Sequence, residues 1–308
     1  TTREIEEQAD KNRVGFFERE ARVERFHHAN RVLVRRALVD AIKETFSGTA
    51  GRLPLPFRLM MLGGDDLLLV CDAAFAVPFL IAFEKAIREY DQALREQNPG
   101  RSPFTFGAGI AIVKRTFPFH RAHDLAEQLL SSAKRLYREQ KAAVEQAKKN
   151  GTTAPQPVST VDWLAITEAW HDELKDVRRR DTRMQYSVGG TVETLVLSQK
   201  PYPIAANGGN GAASLEQLWK LACSACEVAR TQLNALARIL PRGRRQAEWA
   251  AQAVNDDALP QLLEKLHGAA SPWVDGGQDT CVSRFLDFLE LRELARRRES
   301  LISQGTTP

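Results

Sequence analysis

The stretch that most limits how this chain can fold runs from Phe57 to Cys71. Two apolar segments of strand length, Phe57-Arg58-Leu59-Met60-Met61-Leu62 and Leu67-Leu68-Leu69-Val70-Cys71, flank the small, doubly acidic Gly63-Gly64-Asp65-Asp66. Neither segment has helical spacing, and turn residues bound both, so the pattern predicts two buried strands joined by a tight hairpin. The glycines supply the positive φ angles that short hairpin turns need and leave the backbone open to a ligand. Adjacent carboxylates at such a tip repel each other, and a divalent cation relieves the repulsion. Hard cations such as Mg²⁺ take oxygen ligands, often one or two carboxylates plus substrate phosphates, so the tip points to nucleotidyl transfer. A solvated Gly-Asp turn is the plain alternative.

The flanking sequence supplies helices. From about Phe16 to Phe46 the apolar residues Phe26, Ala29, Val32, Leu33, Ala37 and Ile42 recur near helical spacing, which predicts one or two helices. Asp72 precedes a helix over about Ala74 to Gln97, with Pro78 in its first turn and Phe79, Leu80, Phe83, Ile87, Tyr90 and Leu94 inward. Thr105 to Lys114 reads as a strand whose glycines thin the side-chain layer at a point of close approach. Ala122 to Glu139 reads as a helix with Leu125, Leu129, Ala133 and Leu136 inward. This order is that of a ferredoxin-like βαββαβ unit once a first strand is set before it. No such strand is legible before Phe16.

Gln140 to Ser159 reads as a helix end and a loop, Val161 to Thr167 as a strand, His171 to Arg183 as a solvated charged face, and Thr191 to Ser198 as a strand. From Leu215 onward the pattern is helical, with turns near Pro241, Pro260 and Ser271 to Gly277, and Leu215, Leu218, Leu221, Ala222, Ala225 and Val228 on one face. The expected class is α+β: a palm-like domain over residues 1–205, then a helical bundle over 206–308.

A net charge of +4 permits contact with nucleic acid without requiring it. No segment reaches the ~18–20 consecutive apolar residues of a membrane helix, and no signal peptide is visible, so a cytoplasmic protein is expected. The four cysteines make no disulfide framework at this length. Cys223 and Cys226 form one CxxC, but no second pair stands at zinc spacing, and both are assigned to a buried helix face. The chain opens on Thr1 rather than Met, which reads as a segment of something longer.

With these residues placed, the chain resembles the palm region of the large subunit of type III CRISPR effector complexes, the cyclic oligoadenylate synthetase subunit. The hairpin carries the resemblance together with Gly107-Ala108-Gly109-Ile110-Ala111-Ile112, Phe117-Pro118-Phe119, Leu129-Leu130-Ser131-Ser132-Ala133-Lys134 and Leu197-Ser198-Gln199-Lys200-Pro201-Tyr202. The likeness covers about Phe16 to Ile204. It implies a second palm domain that joins ATP molecules through 3′-5′ phosphodiester bonds into rings when a guide RNA pairs with target RNA. By position, Asp65 and Asp66 would be the catalytic metal ligands for Mg²⁺ or Mn²⁺. Gly63 and Gly64 would bind the nucleotide along the backbone, and Lys134 would contact a phosphate. Guide RNA, target RNA and further effector subunits are the implied partners, with no membrane.

This chain departs from the family in two places. The family's first-strand carboxylate has no counterpart here, Asp10 being a poor substitute, and the nuclease His-Asp pair is absent, since His27-His28 is followed by Ala29. The two histidines read as helix-surface residues. Two other readings stand beside the synthetase. One is an inactive palm scaffold that holds RNA or neighbouring subunits, with Arg178-Arg179-Arg180, Arg242-Gly243-Arg244-Arg245 and Arg296-Arg297-Arg298 as basic clusters that read equally as exposed helix faces. The other is a standalone diguanylate-type cyclase, which would have Glu-Phe where this chain has Asp66-Leu67.

Overall fold

The computed structural model describes residues 15–49, 55–64, 66–98, 101–153, 155–166, 173–188, 190–206, 213–224, 228–253 and 258–303. The chain falls into two compact units, Thr1–Thr105 with Leu301–Pro308, and Phe106–Ser300.

In the first unit a single helix, α1 (Phe16–Phe46), buries Leu33, Val34, Ala37, Leu38 and Ala41 along one stripe. His27 and His28 are exposed on it. Strands β1 (Phe57–Gly63) and β2 (Asp66–Cys71) form the expected antiparallel hairpin. The Asp72 amide donates to the Pro56 carbonyl at 3.0 Å and closes the base of the hairpin. The Asp72 carboxylate accepts from the Ala74 amide at 3.0 Å, which starts helix α2 (Ala73–Gln97). Pro78 lies in the second turn of α2 rather than the first, where its ring leaves one carbonyl of the preceding turn without an amide partner.

Phe46 of α1 joins these elements, its ring centroid lying 4.6 Å from Phe57 of β1 and 5.3 Å from Phe75 of α2. Asp91, 2% exposed, fastens the exit of α2: it accepts from Arg95 Nε at 2.9 Å, Arg101 Nε at 3.2 Å and the Phe104 amide at 3.1 Å. Arg101 also reaches Asn30 Oδ1 on α1 at 2.6 Å, so the loop after α2 is tied back to α1.

The hairpin strands are not buried as the apolar runs suggest. Leu59, Met60, Met61 and Val70 are 39%, 47%, 45% and 43% exposed. Among the described residues the hairpin is a sheet of two strands, and its apolar composition exceeds the area that they cover. The register slips between Leu59 and Met61, which makes Met60 the extra residue of a β-bulge.

The second unit begins with strand β3 (Gly107–Ile112), helix α3 (Phe119–Lys149) and strand β4 (Thr160–Ala165), a βαβ unit in which β3 and β4 are parallel. Among the described residues no strand joins the hairpin sheet to this one. Gly109 explains the thinned side-chain layer. A Cβ there would stand 2.2 Å from the Ala126 carbonyl oxygen and 2.6 Å from the Leu130 amide nitrogen. The group that approaches is therefore the backbone of α3, not a ligand. Gly109→Ala is expected to lower stability by about 3 kcal/mol, at the upper end for overpacking because neither clashing atom is a side chain that can rotate away. A urea midpoint within error of wild type would refute this.

Helix α3 runs well past the expected end at Glu139, because Val144 continues its buried stripe. Helix α4 (Leu174–Thr182) corrects the solvated reading of the charged run: Leu174 and Val177 are buried, and Arg178 turns inward. Its guanidinium forks onto the fully buried Asp162 of β4, with Nη1 donating to Oδ2 at 2.6 Å and Nη2 to Oδ1, and also reaches Ser132 Oγ of α3 at 3.3 Å.

Strand β5 (Arg183–Val188) pairs with β6 (Thr191–Val196), and β7 (Tyr202–Pro203) adds antiparallel to β4. Helices α5 (Leu215–Cys223), α6 (Arg230–Ile239), α7 (Arg244–Gln252) and α8 (Ala258–His267) follow. The helical region is interrupted by strands β8 (Val274–Asp275) and β9 (Thr280–Val282), and β9 runs parallel to β6 to give a four-stranded sheet. Helix α9 (Phe285–Ser303) ends the described chain. The stripe expected from Leu215 to Val228 is cut, because α5 ends at Cys223, which is exposed rather than buried. Ala225 and Cys226 lie outside the described residues.

His267 locks the turn between α8 and α9. Its Nδ1–H donates to the Ser271 carbonyl at 2.9 Å and its Nε2 accepts from the Arg284 amide at 3.0 Å, so the ring must be neutral. Burial, then the Arg284 charge, lowers its pKa from 6.5 to about 4. The unfolded chain therefore takes up this proton first, and stability falls as pH drops from 6.5 towards 4, by up to about 3 kcal/mol. His267→Gln should flatten this limb of the stability–pH curve, and an unchanged limb in the variant would refute the assignment.

Candidate functional site

The hairpin tip is built by register. Gly63 pairs with Asp66 as the last rung, above Leu62 and Leu67, and Gly64 lies in the turn beyond it. Gly64 has φ +59°, the sign that the short hairpin turns require. A Cβ on Gly63 or Gly64 would meet nothing within 4 Å, so the backbone here is open. The Asp66 side chain is exposed and, among the described residues, has no hydrogen-bond or ion-pair partner. Asp65 lies outside the described residues.

An unpaired carboxylate on an open glycine backbone fits a hard cation shared with a substrate phosphate, a mode that needs only one or two protein carboxylates. Among the described residues there is no group of three or more His, Cys, Asp or Glu side chains arranged to hold a metal by themselves. At the other end of β2, burial and the neighbouring Asp72 push the Cys71 thiol up to about 12, which leaves it a packing residue rather than a nucleophile.

Lys134 belongs to the second unit, on α3. Its ammonium end is exposed while its stem crosses Gly107, where a Cβ would stand 3.0 Å from Lys134 Cγ. Gly63, Gly64 and Asp66 thus share one tip, and Lys134 is placed by a different element.

The Leu197–Tyr202 string proves to be a structural hub. Asp287 of α9, 1% exposed, accepts from Ser198 Oγ at 2.7 Å, the Gln199 amide at 2.8 Å and Tyr202 Oη at 2.6 Å. Lys200 Nζ lies 3.7 Å from Asp287, pairs with Glu290, and sits 4.6 Å from the centre of the Trp163 ring. Trp163 Nε1–H donates to Glu290 at 2.8 Å and stacks on Tyr202 at 5.4 Å. Burial raises the Asp287 carboxyl above its ordinary range, against the pull of Lys200, and burial with the Asp287 charge raises the Tyr202 hydroxyl. No local signal in the sequence marks this hub, because its two halves lie far apart along the chain.

A helix, an acid-tipped hairpin, a helix, then a βαβ crossover define a palm domain of the nucleotidyltransferase-like kind. Residues 34–144 match the family model of Cas10/Cmr2, second palm domain. The matched stretch contains the hairpin, and it is similar to the second palm of the type III CRISPR large subunit. No curated protein matches the chain in sequence. Among the described residues no helix is long and apolar enough to cross a membrane.

Proposed function

We propose that this chain is the nucleotidyltransferase subunit of an RNA-guided effector, converting ATP to cyclic oligoadenylates by 3′-5′ phosphodiester formation when target RNA is bound. The observation that carries this reading is the unpaired Asp66 beside Gly63-Gly64 at an open hairpin tip, inside the palm-family stretch. Asp65 and Asp66 would hold Mg²⁺ or Mn²⁺, which when bound neutralises phosphate charge and favours ionisation of a ribose 3′-hydroxyl. Gly63 and Gly64 let a triphosphate or ribose lie against the backbone, where any larger side chain would occupy the approach. Lys134 offers a point charge to a phosphate, its stem held in place over Gly107. Phosphoryl transfer asks a protein mainly for positioning and charge neutralisation, and these residue types supply both. Guide RNA, target RNA and the remaining effector subunits complete the assembly in the cytoplasm.

The test is product analysis after incubation with ATP and Mg²⁺ or Mn²⁺, with and without the guide complex and matching RNA. RNA-dependent cyclic adenylates are expected. An assembled complex that makes nothing would put a palm scaffold in place of the synthetase. A guanine dinucleotide made without RNA would put a standalone diguanylate-type cyclase there.

A further inference from the structure

The arginine runs that stand out in the sequence are largely engaged. Arg178 pairs with Asp162, Arg179 with Asp176 at 3.5 Å, Arg180 with Asp181 at 2.9 Å, Arg244 with Glu248 at 3.0 Å and Arg296 with Glu293 at 3.7 Å. A different basic surface emerges on α3. Lys134, Arg138, Lys141, Lys148 and Lys149 are all exposed, and among the described residues none has a hydrogen-bond or ion-pair partner. Their spacing puts them within an arc of about 100° on one flank of the helix, beside rather than opposite the buried Leu125, Leu129, Ala133 and Val144, with Lys148 one turn beyond Val144. Glu145 is the one acid within the stripe. From Lys134 to Lys149 the helix rises about 22 Å, with successive charges at Lys134, Arg138 and Lys141 about 5–6 Å apart.

We infer that this outer face of α3 is a docking surface for the sugar-phosphate backbone of single-stranded RNA. A row of unpaired cations along one flank of a helix complements the repeated monoanions of a phosphate backbone. Beside the cations stands a single half-buried aromatic, Tyr137, whereas protein interfaces centre on clusters of buried aromatic or aliphatic anchors. A lipid surface fits no better, because it needs an apolar helix face to insert, and the apolar face of α3 is spent on its own sheet. The proposal takes only its choice of RNA as probe from the function proposed above.

The test uses the full chain without ATP or metal. Anisotropy of fluorescein-labelled oligouridine is titrated across a salt series, for wild type, for the triple variant Arg138→Gln, Lys141→Gln, Lys148→Gln, and for Arg179→Gln, Arg180→Gln, whose side chains are already paired. Each phosphate contact contributes a slope of about −0.7 to log K against log salt for a single strand. The triple variant should therefore be shallower by about 2 in that slope, with an unchanged circular dichroism spectrum, while the arginine-run variant keeps the wild-type slope. Absence of wild-type binding, or an unchanged slope in the triple variant, overturns the proposal. So does equal displacement of oligouridine by polyglutamate at matched charge, which would point to an acidic protein. Preference for phosphatidylserine vesicles over oligouridine overturns it in favour of a membrane. With ATP and metal left out, this outcome is independent of whether the hairpin makes cyclic adenylates.

Discussion

The Asp65→Ala, Asp66→Ala double variant is expected to lose RNA-dependent adenylate synthesis by at least about a hundredfold while keeping the wild-type melting midpoint. Metal-held charge stabilisation in phosphoryl transfer amounts to several kcal/mol, and about 3 kcal/mol is already two orders of magnitude in rate. The fold should be indifferent. Asp66 is exposed at the last rung, no described residue pairs with its carboxylate, and the turn geometry is carried by Gly64. Surface substitutions of this kind usually fall within about 0.5 kcal/mol. Raising Mn²⁺ should not restore synthesis, because the ligands themselves are gone. A double variant that synthesises at the wild-type rate would remove the hairpin from the chemistry. One that fails to assemble or melts early would show that the tip is structural.

Asp287→Ala should be the most damaging single change in the second unit. It would leave Lys200 as a buried cation beside the half-exposed Glu290 alone, and strand the Ser198 and Tyr202 hydroxyls and the Gln199 amide without their acceptor. Breaking a buried, hydrogen-bonded charge pair costs about 3–5 kcal/mol, a large share of the ~5–15 kcal/mol that holds a typical domain. Tyr202→Phe, which removes one hydroxyl and keeps the stack on Trp163, should cost only about 1 kcal/mol. Urea unfolding of the two variants tests the ordering. If Asp287→Ala is no worse than Tyr202→Phe, the network is not what fixes β7 and β4 to α9.

The sequence was most readable where structure is local. The hairpin, the Asp72 cap, the α2 stripe and the βαβ crossover all follow from turn chemistry and apolar period, which act over a few residues. Strands β5, β8 and β9 were missed, for two different reasons. In β5 the alternation Met184, Tyr186 against Arg183, Gln185, Ser187 was present but masked by the arginine-rich run before it. Strands β8 and β9 are too short for any period, and they exist because β6 offers an edge to β9. The basic stripe of α3 went unseen because Gln140 onward was read as a helix end. Once the helix is known to continue to Lys149, Arg138, Lys141 and Lys148 fall on one flank of it, beside the buried Val144.

By itself the sequence determined the identity of the tip: two glycines and two carboxylates between apolar strands, with a tight turn as the only local solution. Tertiary structure alone decided what the other conspicuous residues do. It turned Gly109 from a point of unspecified close approach into a seat for the α3 backbone, Arg178 from a solvated charge into the partner of buried Asp162, and Ser198 to Tyr202 into the shell of Asp287. Local sequence sets backbone conformation within a turn or two. Desolvation, which determines whether a charge must find a partner, depends on groups that folding brings from distant parts of the chain.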